Sequence, residues 1–413
     1  IFPERFAGIG WAALGLDQRD DNEFYSDYHG LPRGLVMSDT ELNLGGNQVG
    51  FALQRVSFNC ASCHRGEYLD AQGRSKFIDG MPNHRLDTAR FKEVVFGSFK
   101  DPRFTAARLI EEVNKLLGER HRELPTFSDG TPTPTALNAV EELIYKAIVV
   151  KAHSDADAKN LDWMKHPRPI NGPGRLDAFG ALRFEYMKLT DQPDAISVVD
   201  LPSIWQQGGA YRWAHHCDGN STQTRARNFG AIFGVGGSPE SVRKAQVLRI
   251  GDWIDEKLAS PAYPFTPPAA ELVLKGRDLF ERKCAACHGK YDADTGRLIT
   301  SSRAACMKTP TPLDDAWSAD AKTLPADPAM TDPVRSRAFD ANFARELNAF
   351  GRDAGLWDSQ AFFSTKGYLC PPLDGIWARA PYLHNGSVPT LRHLLSPVAE
   401  RPPSFLRGSA RYD

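Results

Sequence analysis

The sequence is poor in the features that would place it in several common classes. It has no excess of either charge: 50 Lys and Arg stand against 51 Asp and Glu, for a formal net charge of −1. That excludes the basic footprint expected of a nucleic-acid binder or of a protein drawn to an anionic membrane surface. No apolar run approaches the length of a membrane span. The chain opens on IFPERFAG, without a charged-then-apolar leader, so a signal peptide is expected to have been removed. Strand-like alternation is not sustained anywhere, and no repeat is visible apart from one duplicated pentad. Cysteine is scarce at 7 residues and methionine at 6, so few side chains could serve as soft metal ligands.

Four of those cysteines sit in two copies of one pattern. Residues 60–64 read CASCH and residues 284–288 read CAACH. At these Cys and His frequencies, chance predicts roughly 0.003 copies of C-x-x-C-H in a chain of this length. The spacing has a chemical reason. Two thiols three positions apart on a helical turn face the same way and can each form a thioether to a porphyrin vinyl. The adjacent His then points at the iron as its proximal ligand. A structural zinc site would instead join two C-x-x-C pairs and would not require the His. The cofactors expected are therefore two covalently bound haem c groups, attached through Cys60, Cys63, Cys284 and Cys287, with His64 and His288 on the irons. Such attachment is made outside the cytoplasm, which points to a periplasmic, cell-surface or secreted protein. In that oxidising space Cys306 and Cys370 could pair, leaving Cys217.

The distance between the pentads suggests one haem per lobe. Between them, SPAYPFTPPAAE (Ser260–Glu271) is Pro-rich, cannot continue a helix and reads as a linker. The expected architecture is mainly α: two cytochrome c-like haem domains with long irregular loops. An enlarged N-terminal domain would cover residues 1–260 and a C-terminal domain residues 261–413. Segments at 104–123 and 135–153 have helical periodicity in the first lobe. Upstream of the linker, Val242, Val247, Ile250, Trp253, Ile254 and Leu258 follow helical spacing. Downstream, AAELVLKGRDLFERKCAACHG predicts a helix running into the second pentad. Leu272, Leu279 and Phe280 would form its buried face, and Gly276 would allow a close helix approach.

What fills the second face of each iron decides function, since a second His or a Met makes an electron carrier and an open face binds a small ligand. His384 lies in PPLDGIWARAPYLHNGSVPTLRHLL, where Pro381, Pro389 and Gly386 restrict the loop. It is a candidate for the second iron, or else a hydrogen-bond partner of a propionate or the backbone. For the first haem, WAHHCDGNS (Trp213–Ser221) is unusual, because adjacent His215 and His216 cannot both face it. Met81 and His84 follow the first pentad, and Met307 and Met330 are further candidates for the second haem. For His29, His84, His121, His153, His166, His215 and His393, the base expectation is an ordinary surface or hydrogen-bonded role.

These segments, together with GPGRLDAFGALR and HHCDGNSTQTRARNFGAIFGVG, resemble the di-haem cytochrome c peroxidase superfamily, most closely its rubber-oxygenase-like branch. The similarity spans residues 60 to about 395 in the order that family uses. It implies that His384 is an axial ligand of the second haem, and that the haem held by His64 keeps a face open for peroxide or oxygen. The chain departs from the family at Cys217. Relatives often read H-W-D-G-N where this sequence has His216, Cys217, Asp218, Gly219 and Asn220, which bears on any transfer of oxygenase activity.

The function expected is a di-haem redox enzyme that reduces peroxide, or activates oxygen, at the first haem and relays electrons through the second. Cleaving an O–O bond requires a nearby proton donor or acceptor. His216 and Asp218 are the candidates, with Trp213 as a pocket wall or relay. The partners expected are an electron-donor protein or small redox carrier and peroxide or oxygen, with no nucleic acid. The alternatives are a pure electron-transfer cytochrome and an oxygenase acting on an organic substrate.

Overall fold

The runs on either side of Gly45 and Gly46 form the first element, an antiparallel hairpin of β1 (Leu35–Leu44) and β2 (Asn47–Phe58). This corrects the expectation that no strand is sustained. Its sequence does not alternate cleanly between apolar and polar residues, and the register shifts between Glu41 and Leu42. The Gly-Gly pair between the two runs was the usable sequence signal.

The computed structural model describes residues 14–16, 32–44, 47–127, 129–158, 171–189, 197–208, 214–239, 241–292, 294–295, 298–300, 324–325, 332, 334–365 and 367–412. Trp213, His29, His166, Cys306, Met307 and Met330 lie outside them. The chain forms two compact units: Ile1–Leu14 with Ala89–Asp162, and Gly15–Thr88 with Trp163–Asp413. Both pentads belong to the second unit, and the boundary expected at residue 260 falls within it.

The second unit begins its haem-motif region with α1 (Cys60–His64), followed by the hairpin of β3 (Arg65–Leu69) and β4 (Ser75–Asp79). The helix α2 (Thr88–Phe99) runs into the other unit, which continues with α3 (Ala106–Glu123) and α4 (Ala139–Ala158). Thr105 caps α3 by accepting from the Arg108 amide at 3.3 Å. Phe104 and Val149 form a small core there with Phe99, Leu109 and Ala152. His121 and His153 bond the carbonyls of Thr133 and Phe104, each at 2.9 Å, as ordinary structural histidines do.

The second unit resumes with α5 (Ala178–Gly180), prolonged by a π turn over Ala181–Tyr186, then α6 (Thr224–Gly234) and α7 (Lys244–Glu256). Next come α8 (Ala270–Lys283), the short α9 (Ala285–His288), α10 (Val334–Ala338) and α11 (Ala341–Asp353). A small strand β5 (Gly367–Tyr368) pairs with Leu324–Pro325, and α12 (Leu391–Leu395) follows. The fold is mainly α with small sheets. Its main core is aromatic, built from Phe179, Phe229, Phe233, Phe343, Trp357 and Phe362. Asn348 secures this core by bonding both the carbonyl of Phe362 at 2.8 Å and its amide at 2.9 Å. Gly351 lets α11 meet Trp357, since a Cβ there would lie 1.8 Å from the indole.

Two expectations need correction. No residue of α8 is buried: Leu272 and Leu279 are 60% and 53% exposed, and nothing lies within 4 Å of a Cβ on Gly276. Periodicity specifies an apolar face but not its neighbour. In α7, likewise, Ile254 is buried while Ile250 and Trp253 are exposed. The Pro-rich stretch is irregular as expected, yet it is docked. Phe265 meets Tyr68 and Trp377 edge-on at 6.0 and 5.9 Å, and Tyr263 meets Trp377 at 6.1 Å.

Candidate functional site

In the first pentad, Asn59 caps α1 by accepting from the Ala61 amide at 2.9 Å. The following loop grips the motif from behind. The Gly80 amide bonds the His64 carbonyl at 2.7 Å, and the Asn83 amide bonds the Cys63 carbonyl at 2.8 Å. The Asn83 side chain adds a bond to the Ser62 carbonyl at 2.8 Å. In the second pentad, α8 ends at Cys284 and Gly289 turns the chain away at φ 87°. Cys60, Cys63 and Cys284 form no disulfide among the described residues.

The two pentad histidines use one device. His64 Nδ1 lies 2.9 Å from the Pro202 carbonyl, and His288 Nδ1 lies 2.9 Å from the Pro371 carbonyl. A carbonyl only accepts, so each Nδ1 carries the proton and each Nε2 carries a lone pair. Iron-ligating histidines are held in this way. Burial and the nearby Arg227 push His64 down to about 4, keeping it neutral, the form that ligates. Among the described residues no three His, Cys, Asp or Glu side chains gather as a metal cluster would require.

The surroundings also fit an anionic macrocycle. Arg175 Nε, Arg227 Nε and Nη2, Arg335 Nη1 and Arg379 Nε are buried without a hydrogen bond. Burial lowers Arg227 and Arg379 to about 10. Of these, Arg227 acts on both Cys60 and His64, and its unbonded buried nitrogens would find acceptors in an anionic group such as a haem propionate.

His216 belongs to a polar array that the sequence signalled only in part. Its Nδ1 lies 2.7 Å from Asn220 Oδ1. The Asn220 Nδ2 donates to Asp218 Oδ2 at 3.1 Å, which orients the amide so that Oδ1 accepts from His216. His216 Nε2 is then the basic nitrogen. Burial is the main cause that lowers His216 to about 4, with Asp218 opposing it. Asp218 is 1% exposed and bonded to Arg335 Nε at 3.2 Å, while the Arg335 guanidinium lies 3.5 Å over the Phe179 ring. Asp218 therefore orients the array instead of meeting solvent. Arg227 exerts its field on Cys60, His64 and His216 alike, which brings the array into the electrostatic neighbourhood of the first pentad. Burial pushes the Cys217 thiol up to about 12. Arg227, Arg335 and Tyr368 were not singled out from sequence, where an Arg or Tyr among many carries no signal.

His384 stacks on Tyr368 with ring centroids 4.4 Å apart, and its Nε2 lies 3.3 Å from the Tyr368 hydroxyl. Its carbonyl accepts from the Asp200 amide at 2.7 Å. Burial lowers it to about 4. Of the other candidates, Met81 is fully buried against Trp205 and Trp377. His84 is 4% exposed, and neither ring nitrogen has a partner.

Residues 367–406, which carry Tyr368 and His384, match the model of the family described as RoxA-like, cytochrome c-like. This segment is RoxA-like. The match supports a c-type cytochrome of the rubber-oxygenase-like kind, with covalent haem c and electron transfer as its chemistry. Two proteins of Sinorhizobium fredii (strain NBRC 101917 / NGR234) are also similar. The uncharacterized protein y4iM is 31% identical over 280 residues, covering 66% of this chain and 59% of that protein. The uncharacterized protein y4iJ is 23% identical over 460 residues, covering 94% of this chain and 73% of that protein. The chain thus spans less than two thirds of the first relative. The RoxA-like segment holds the stacked His384 but neither pentad. The expected pairing of Cys306 with Cys370 falls outside the described residues.

Proposed function

We propose that the chain is a di-haem c-type redox enzyme working outside the cytoplasm, with one haem on Cys60, Cys63 and His64 and the other on Cys284, Cys287 and His288. In this reading the lobes are residues 1–260 and 261–413. Peroxide reduction or oxygen activation would fall to the haem held by His64, and electron relay to the haem held by His288 and His384. The observation that carries the proposal is the His216–Asn220–Asp218 array in the field that Arg227 shares with His64.

Bound haem c supplies the one-electron and O–O chemistry. The residues do the rest. His64 would hold the iron, its ring orientation fixed by the Pro202 carbonyl. His216, neutral at physiological pH, accepts a proton at Nε2 from an incoming peroxide and returns it to the departing oxygen. Asn220 and Asp218 hold that tautomer in place. Arg335 Nη1, buried and without a hydrogen bond, is the donor available to a bound oxygen atom. The electron donor is a small redox protein or carrier.

The test is turnover of a reduced cytochrome or dye by hydrogen peroxide, together with the spin state and ligand binding of each iron. Two low-spin irons that bind neither cyanide nor carbon monoxide would sink the proposal. A pure carrier is favoured by one observation, the buried His84 with two unpartnered ring nitrogens, which could close the first iron. An oxygenase acting on an organic substrate is favoured by the RoxA-like match. Oxygen uptake with incorporation into product would select it.

A further inference from the structure

Beyond the pentads, the structure contains a second duplication that the sequence hides. In the loop 215–221, the His215 amide bonds the Ser221 carbonyl at 2.8 Å and the two residues form an isolated antiparallel bridge. In the loop 382–388, the Tyr382 amide bonds the Val388 carbonyl at 2.7 Å, with the same kind of bridge. Inside the first loop, His216 and Gly219 have φ 64° and 65°, and the Gly219 amide bonds the His216 carbonyl at 3.3 Å. Inside the second, Leu383 and Gly386 have φ 66° and 59°, and the Gly386 amide bonds the Leu383 carbonyl at 3.1 Å. A non-glycine residue at positive φ is uncommon, so its recurrence at the same step of both loops marks one backbone shape used twice.

The repetition extends upstream. Each loop follows the proline whose carbonyl holds a pentad histidine: Pro202 for His64, and Pro371 for His288. The equivalences then follow step by step. His216 corresponds to Leu383, Asp218 to Asn385, Gly219 to Gly386, and Cys217 to His384. Asp218 and Asn385 each keep one buried side-chain oxygen without a hydrogen bond. A separate observation marks the Cys217 side as built for a ligand. Arg335 is 2% exposed, ties to this loop through Asp218 at 3.2 Å, acts on the Cys217 thiol, and has a buried Nη1 with no hydrogen bond.

We infer that Cys217 occupies, over the first haem iron, the place that His384 occupies over the second, so that one loop presents a thiol and its duplicate an imidazole to the sixth position. The inference rests on the di-haem reading above and deepens it. An imidazole is a strong, persistent iron ligand, whereas a neutral thiol coordinates weakly and yields to an incoming molecule. Exchangeability at the first haem is then a property of one side chain on a loop shape common to both.

The test is made on the holoprotein carrying two haems, verified by haem content. Cys217→His should convert the first haem to a low-spin bis-histidine centre and abolish its binding of carbon monoxide. Retention of an exchangeable haem in Cys217→His that is indistinguishable from the unaltered protein would overturn the inference. Should Cys217→His fail to take up haem, Cys217→Ala decides: it must alter the carbon monoxide stretching frequency or rebinding rate, and an unchanged signal sinks the idea. The di-haem enzyme reading fails separately. If the unaltered protein has no exchangeable haem, that reading is lost, while Cys217→Ala still reports on position by freeing one iron or leaving both low-spin.

Discussion

The imidazole of His384 lies stacked on the phenol of Tyr368, with ring planes 21° apart. The Tyr368 hydroxyl donates to the Asp332 carbonyl at 2.5 Å, so it is anchored independently of the histidine. Tyr368 thereby fixes the ring plane of His384, and its hydroxyl also reaches His384 Nε2 at 3.3 Å. Replacing His384 by Gly should turn the second haem from low to high spin. Tyr368→Phe keeps the stacking surface and should keep it low-spin. Electron paramagnetic resonance of both variants checks this; an unchanged His384→Gly spectrum refutes the ligand assignment.

On the di-haem reading proposed above, the two attachments should be separable. Changing Cys60 and Cys63 to Ser should remove one haem mass from the denatured chain, and changing Cys284 and Cys287 should remove the other. Mass spectrometry under denaturing conditions reads this directly. Loss of no mass in either variant would mean that the pentads do not carry covalent haem.

His216 should matter through proton transfer and not through binding. His216→Gln is expected to lower peroxide turnover by about 10²-fold, the usual scale for losing a general acid–base group. The affinity of the ferric protein for cyanide should change far less. Equal losses in both would point to a collapsed pocket instead.

The ion pair of Asp218 with Arg335 is almost fully buried, at 1% and 3% side-chain exposure. Removing one partner strands the other, which costs roughly 3–5 kcal/mol. Arg335→Met should therefore lower the denaturant midpoint markedly, and the double variant with Asp218→Leu should recover part of it. A double variant worse than Arg335→Met alone would show that the pair is not the source of the loss.

Acid should weaken the fold through histidines kept neutral. Burial, and then Arg407, lowers His84 to about 3 against its ordinary 6.5. Between those values the unfolded chain binds the proton and the folded chain does not. Stability is therefore full above pH 6.5 and falls as pH drops, by about 1.4 kcal/mol per pH unit for one group. Asp200, raised from 3.8 to about 7 by burial against the pull of Arg407, acts in the opposite sense throughout the interval between those two values. His84→Leu should flatten the loss below pH 6.5, measured by denaturant unfolding at a series of pH values. An unchanged slope would show that His84 is protonated or bonded in the folded protein.

The sequence by itself determined the chemistry that depends on short spacing. A helical turn places Cys60 and Cys63, or Cys284 and Cys287, on one side with a His beside them, because backbone geometry over five residues leaves little choice. The helical segments α3 and α4 were legible for the same reason. Whatever depends on closing long loops was not. Tertiary structure alone decided that Pro202 and Pro371 hold the two histidines, that Asp218 meets Arg335, and that Leu272 and Leu279 stay exposed. It also made loop 215–221 the twin of loop 382–388 although their side chains differ, since a backbone shape set by hydrogen bonds and positive φ can recur under dissimilar residues.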